Sequence, residues 1–456
     1  MDKSLLVADP QSGFVRAKSG YDAAGRSKLV VPSLVAALVL ANTLILFVLI
    51  PYLSRDLRGM YNQEVYADGY DQLAANLVEG HGYRMYPDTA RTMVREPGYP
   101  LLLAGIFVTF GKSFAAVKLA NMLLAFAAAW LITRLARRLT SSTALIYVPA
   151  LLFLFHPGTL VAESRGGVEL FFTFWFVLFL VCLYQVIDSN RWQDYVVSGA
   201  VLGCTVLVRS TPMLFPVLLL AYLLVTRKGS RLAAVGHVAL MMAAMFAVLS
   251  PWIIRNYRLV GKFVPTASVL GISAHAGLYD NTHVSPDMPW FGADEESARE
   301  RKRIALALGL PFKDVTNAYY QDFYASGDEL KFSSYLLRQV LQEYEKSPML
   351  FVRCFGSNLF NLWFRGKTDK STLANIIVQT PYLILAIAGA IFSVRNRRLA
   401  SIAPILLLLA YTVALYAAIL AQARYSVPLV PLLALLACVG LSGRARAEGS
   451  SVRAQA

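Results

Sequence analysis

YADGYDQLAANLVEGHGYRMYPDTARTMVREPGYPLLLAGIFVTFG, residues 66–111, is the segment from which the rest of the chain can be ordered. It comes after the first long apolar run, yet it holds Asp68, Asp71, Glu79, Asp88 and Glu96 among Arg84, Arg91 and Arg95. Tyr70, Leu73, Ala74, Leu77 and Val78 recur on one helical face with Asp71, Asn76 and Glu79 largely elsewhere, which predicts an amphipathic helix lying in an interface. The apolar run Tyr99–Phe110 is too short for the roughly 20 residues that a membrane span needs. We therefore expect it to form a juxtamembrane or re-entrant helix.

The composition supports the same setting. Of 456 residues, 57% are hydrophobic and only 16% charged, too apolar for the surface of an ordinary soluble domain. The chain reads as an all-α, multi-pass integral membrane protein. Its net charge of +15 falls in short clusters at the ends of apolar runs, as orienting charges do. It forms no basic stripe or known reader motif, so nucleic acid is not expected as a partner. Cys182, Cys204, Cys354 and Cys438 all sit in apolar stretches at wide spacing and read as packing residues. The first apolar run, from about Leu29, lacks a small-residue cleavage signal and is expected to remain as the first span.

Residues 1–28 are basic and read as a cytoplasmic tail, so the span at 29–52 runs outward and leaves an external loop over 53–113. If Tyr99–Phe110 and the run after Phe114 both crossed, Arg134, Arg137 and Arg138 would face outward, against the charge rule. With one crossing they face the cytoplasm. The same bookkeeping predicts spans near 142–156, 167–187, 193–209, 213–226 and 232–252. A polar external and juxtamembrane segment at 255–373 comes next, helix-like over 311–345 and apolar but non-crossing over 349–364. Spans near 374–394, 399–420 and 425–442 then complete about ten, with a catalytic half at 29–254, C-terminal helices at 374–442 and a cytoplasmic tail at 443–456. No internal repeat is evident.

A charge at the bilayer centre costs roughly 2.5–3.5 kcal/mol on insertion scales, so charges near the membrane are functional candidates. On this topology Asp68, Asp71, Arg95, Glu163, Arg165, Glu169, Arg209, Arg255, Arg258 and Arg424 all lie on the outer side. Guanidinium forks suit phosphate, and a carboxylate suits removal of a hydroxyl proton. Together they point to group transfer from a lipid phosphate.

Four motifs in series carry a family resemblance. D-G-Y-x-x-L-A-x-N-L-x-x-G-H-G-Y with R-E-P-G-Y-P-L-L-L-A, then V-R-S-T-P (208–212), S-P-W-I-I-R-N-Y (250–257) and A-R-Y-S-V-P-L-V-P (423–431) resemble the landmarks of polytopic glycosyltransferases of the protein mannosyltransferase and aminoarabinose transferase superfamily. The resemblance implies a GT-C fold, a polyprenyl-phosphate-linked sugar donor and an acidic base in the first external loop. Asp68 is the nearest match to that acid, with Glu64 and Asp71 as the other acids in reach. Arg209, Arg255 or Arg424 would hold the leaving phosphate in a single inverting displacement. Arg95, Glu169, Tyr99 and Tyr425 are further candidates for substrate contact.

The expectation is therefore a glycosyltransferase in a bacterial inner membrane, with both termini cytoplasmic and the site extracytoplasmic. The acceptor would be a lipid, glycan or protein. A transporter or flippase of lipid-linked saccharides would be expected to carry midplane charges and a two-fold repeat of spans. A ligase would be expected to carry its key charges in a late loop, and the polar segment after Arg255 keeps that alternative open. Gly105–Ser113 approaches a phosphate-binding loop, but it has five residues between its glycines instead of four and bulky apolar side chains in between. His81, His275 and His283 match no tight metal-ligand spacing, so no metal site is assigned and a divalent ion stays a minor alternative.

Overall fold

The computed structural model describes residues 37–50, 52, 68–226, 230–282, 303, 306–309, 328–366 and 368–440. Glu64, both tails and most of 283–327 lie outside the described residues. The chain divides into two units, Met1–Gln63 and Glu64–Ala456. In the first, α1 (Ala37–Leu49) is apolar and ends in a π-helical turn over Ile45–Leu49.

All regular elements described in the second unit are helices. It opens with α2 (Tyr70–Val78) and α3 (Gly98–Phe110). The bundle contains α4 (Phe114–Leu139), α5 (Thr143–Leu154), α6 (Pro157–Glu163), α7 (Glu169–Ser189) and α8 (Trp192–Val208). A 3₁₀ turn at Thr211–Leu214 leads into α9 (Phe215–Thr226), and α10 is Arg231–Val260. Then come α11 (Leu270–Thr282), α12 (Glu329–Lys346) and α13 (Pro348–Trp363). The last three are α14 (Asp369–Arg395), α15 (Leu399–Ile419) and α16 (Ala423–Gly440).

Among the described residues, six helices are long and apolar enough to cross a membrane: α4, α7, α10, α14, α15 and α16. The pair α5 and α6 makes a seventh if its 55° bend is one broken span. The bend has a local cause, because Pro157 opens α6 while His156 caps it by accepting the Gly158 N–H at 3.0 Å. The expected count of about ten also takes in α1, α8 and the 211–226 pair, which are apolar but shorter. Arg209 and Pro212 separate the latter two, so one apolar stretch becomes two short helices.

Two cores organise the second unit. The bundle core centres on α7, where Phe172, Phe176, Phe179, Leu180 and Leu183 have no exposure, and on α16, 78% of which is buried against 22% of α14. Close backbone approaches hold it: a side chain on Gly199 of α8 would meet the Met241 carbonyl of α10 at 2.1 Å. Small residues at helix contacts are the usual way to pack apolar helices this tightly. The second core forms a cap of Leu73, Tyr83, Met85, Met93, Val94, Trp252, Ile272, Tyr279, Phe332 and Leu336.

The expected amphipathic helix over 70–79 is present as α2, with Tyr70, Leu73 and Ala74 buried, but Val78 is 41% exposed and Asn76 takes the inner face instead. The Asn76 amide donates to the Arg84 and Met85 carbonyls at 2.7 and 3.0 Å, tying the next loop back onto the helix. A polar side chain won that place because buried loop carbonyls need a donor. Residues 105–110 belong to α3, so the stretch that approaches a phosphate loop is helical instead.

Candidate active site

The site forms where cap and bundle meet, beginning with a backbone reversal. Asp68 and Gly69 are both left-handed, at φ 62° and 74°, immediately before α2. Aspartate is among the few residues that tolerate this region. Position 69 favours glycine because its φ of 74° is strained for residues with a side chain.

Loop 83–97 brings in the next groups. The Tyr83 hydroxyl donates to the carbonyls of Arg95 and Glu96 at 3.0 and 3.2 Å. Gly98 lets α3 start against the end of α8, where any side chain would strike the Leu207 carbonyl at 2.8 Å. That contact places Glu96 beside the V-R-S-T-P motif, and its Oε1 accepts the Ser210 N–H at 3.0 Å. Arg209 ends α8 in extended conformation, and Arg424 lies in the 3₁₀ turn Ala423–Leu429 that opens α16.

Three arginines from these separate segments converge. Arg424 pairs with Asp68 at two points, Nη1 to Oδ2 at 3.0 Å and Nη2 donating to Oδ1 at 3.2 Å. Arg95 reaches Asp68 Oδ1 at 3.7 Å and donates from Nε to the Asp68 carbonyl at 3.3 Å. Arg424 also meets Glu169 Oε1 at 3.7 Å and donates from Nε to Gln422 at 3.0 Å. Arg209 stacks over the Tyr425 ring at 4.3 Å, near Tyr416 and Phe172, and its Nη1 is buried with no hydrogen-bond partner among the described residues. A buried guanidinium N–H left without an acceptor is costly and well suited to an anionic ligand. Tyr70 and Tyr99 meet edge to face at 5.3 Å and wall the same space, Arg95 lying 5.7 Å above Tyr70. Burial by itself would raise the Asp68 carboxyl, but the charges of Arg424, Arg95 and Arg209 and the Arg424 hydrogen bond hold it well below the usual carboxylate range.

Of the residues singled out from sequence, Asp68, Arg95, Arg209, Arg424, Tyr425, Glu169 and Tyr99 are thus gathered. Asp71 and Arg255 make their contacts elsewhere. Asp71 faces Lys112 at 4.0 Å. Arg255 lies over Trp252 and Tyr83 at 4.6 and 5.3 Å and donates to the Tyr83 carbonyl and to Asn256. Glu64 lies outside the described residues. Among the described residues no three His, Cys, Asp or Glu side chains gather as a metal would need; His81 faces Glu79 at 3.5 Å and His275 stacks on Tyr279.

Two contributors carry no local sequence signal. Tyr416 sits in an apolar span with nothing to mark it. Glu329, only 1% exposed, is far away in the chain; its carboxylate accepts the Met93 N–H at 3.1 Å and the Ser268 hydroxyl at 2.8 Å. It fastens the stretch of loop that leads to Arg95. Glu329→Ala leaves those buried donors unpaired and should lower stability by about 2–3 kcal/mol, read as a lower unfolding temperature in detergent. An unchanged transition would remove Glu329 as that fastening.

The sequence model of the family described as dolichyl-phosphate-mannose-protein mannosyltransferase matches residues 94–254. The match takes in Arg95, Glu169 and Arg209. Among solved structures, ArnT from Cupriavidus metallidurans bound to undecaprenyl phosphate is similar over 91% of this chain and 78% of its own, at 14% identity and a TM-score of 0.40. The same protein in its apo state covers 90% and 78%, at 14% identity and a TM-score of 0.38. No curated protein sequence matches this chain.

Proposed function

We propose that this chain is a membrane glycosyltransferase that moves a sugar from a polyprenyl-phosphate carrier to an acceptor hydroxyl on a lipid, glycan or protein. The observation that carries the reading is the convergence of one carboxylate, Asp68, with three guanidinium groups, Arg95, Arg209 and Arg424, beside membrane-spanning helices. The matched family is described by a polyprenyl-phosphate sugar of the same class. On the topology expected from the basic clusters, the site faces the extracytoplasmic side of a bacterial inner membrane.

In the proposed reaction Asp68 takes the proton of the acceptor hydroxyl as its oxygen attacks the anomeric carbon. The bond from that carbon to the phosphate oxygen breaks, and polyprenyl phosphate leaves with the electron pair. Arg424, Arg95 and Arg209 hold the charge that grows on it. One displacement inverts the anomeric centre. Glu169, which meets Arg424 from the start of α7, keeps that guanidinium in place. Asp68 is the base of this scheme, with Glu64 and Asp71 as the other acids of the loop.

The donor class is tested with membranes containing the full chain, supplied with radiolabelled polyprenyl-phosphate sugars and acceptor lipid. Transfer without any nucleotide sugar is the expected result. Label that reaches the acceptor only when a soluble nucleotide sugar is present would overturn the donor assignment.

A further inference from the structure

The proposed base presents a difficulty that its surroundings resolve. Both Asp68 oxygens are engaged by one guanidinium, and Arg95 approaches from a second side. A carboxylate bound in this way is a poor proton acceptor, because taking a proton would give up one charge-assisted hydrogen bond and the ion pairs with Arg424 and Arg95. A phosphate is served by the same fork. Resting on the reading above, we propose that a lipid phosphate and Asp68 compete for Arg424, so that seating the donor pulls the guanidinium off the carboxylate and thereby frees the base.

The groups around the pair fit an exchange. Arg424 is 33% exposed and Asp68 24%, so a headgroup has access to them, whereas Glu169 is 7% exposed. Glu169 meets the same Nη1 at 3.7 Å, longer than the Asp68 contact, from the N-terminal turn of α7. It restrains Arg424 without saturating it. Gly167 leaves room for this carboxylate, since a Cβ there would lie 2.3 Å from Glu169 Oε2. Arg209, stacked on Tyr425, holds an uncommitted N–H toward the same region. Of the other ionisable neighbours, Glu96 accepts the Ser210 N–H, the Tyr70 ring lies under Arg95, Tyr416 meets Thr211, and the Tyr425 ring lies under Arg209 and Arg424. The charge on Asp68 is therefore governed chiefly by where Arg424 sits. Substrates then bind in a set order, with the acceptor meeting a free base only after the donor is in place.

The direction of one affinity change tests this. Full-length protein in detergent is titrated with undecaprenyl phosphate, with intrinsic tryptophan fluorescence as the signal, and in a parallel arm with inorganic phosphate. If Asp68 competes for Arg424, Asp68→Asn binds undecaprenyl phosphate about ten-fold more tightly than the parent, while Glu169→Gln binds it no more tightly. Asp68→Ser gives the same direction if the asparagine variant is not monodisperse. Weaker binding by the Asp68 variants would mean that the carboxylate positions Arg424 for phosphate, and the exchange is wrong. Equal tightening by Asp68→Asn and Glu169→Gln would reduce the effect to general charge relief and would also overturn it. A shift carried by inorganic phosphate with the lipid inert would uphold the exchange and overturn the lipid-donor reading. Failure of both probes to bind any form would overturn the phosphate site itself.

Discussion

Asp68→Asn should reduce sugar transfer about a thousand-fold, within the range general bases contribute, while the protein still inserts and folds. The amide keeps the size of the carboxylate, and its oxygen can still accept from Arg424 at the 3.2 Å contact, so the fold has little reason to change. The site for the acceptor proton is lost. The loss should fall on turnover, since donor binding is expected to be preserved or improved. Asp71→Asn, whose partner is the exposed Lys112, should change transfer little. Full transfer by Asp68→Asn at normal expression would remove it as base, and loss in Glu64→Gln instead would move the role there.

Acidity gives this result a second dimension. With Arg424 in place the Asp68 carboxyl lies below the ordinary aspartate value of about 3.9. Lowering the pH toward 5 therefore leaves it ionised in the free enzyme, and kcat/KM for the donor should show no acid limb from this group. Once the guanidinium has moved to a phosphate, its charge no longer favours ionisation as strongly and the carboxyl rises. The acid limb of kcat should then stand at higher pH than that of kcat/KM. Coincident limbs would mean that donor binding leaves Asp68 unaltered.

Arg424→Gln should cost transfer about a hundred- to a thousand-fold, comparable to loss of a principal transition-state donor. It removes a charge from the leaving phosphate and leaves Asp68 and Glu169, both within 4 Å of the same guanidinium, without the cation between them. Arg424→Lys should recover only part of the activity, because an ammonium cannot reproduce the two-point geometry. Full activity in the lysine variant would show that a point charge is enough. Arg255→Gln offers the contrast: with its contacts on Tyr83, Trp252 and Asn256, it should lower thermal stability and leave donor affinity as it was.

Much of the layout is legible in the sequence. Apolar run length marks α4, α7, α10, α14, α15 and α16, because a bilayer accepts only long internally bonded helices. The parity of basic clusters leads to the expectation that 99–110 and 349–364 do not cross; both segments are helical, as α3 and α13. The helices on either side of Arg209 keep nearly the expected bounds, Trp192–Val208 and, after the 3₁₀ turn, Phe215–Thr226, and both are short because Arg209 and Pro212 interrupt the apolar run between them.

The membrane class, the helical architecture and a pool of charges at helix ends come from the sequence by itself, since hydrophobic length and charge placement are local properties that each segment carries alone. The choice of Arg95, Arg209 and Arg424 over Arg255 was made only in three dimensions. Arg424 is 356 residues from its carboxylate, and the glycine-permitted contact of α3 with the end of α8 and the left-handed turn at Asp68 bring them together. Arg209 and Arg255 both lie in or beside motifs of the same kind. The aromatic ring over which each one packs, Tyr425 for one and Trp252 for the other, separates a guanidinium with an open N–H from one already bonded. Such packing joins residues distant in the chain, so no local pattern encodes it.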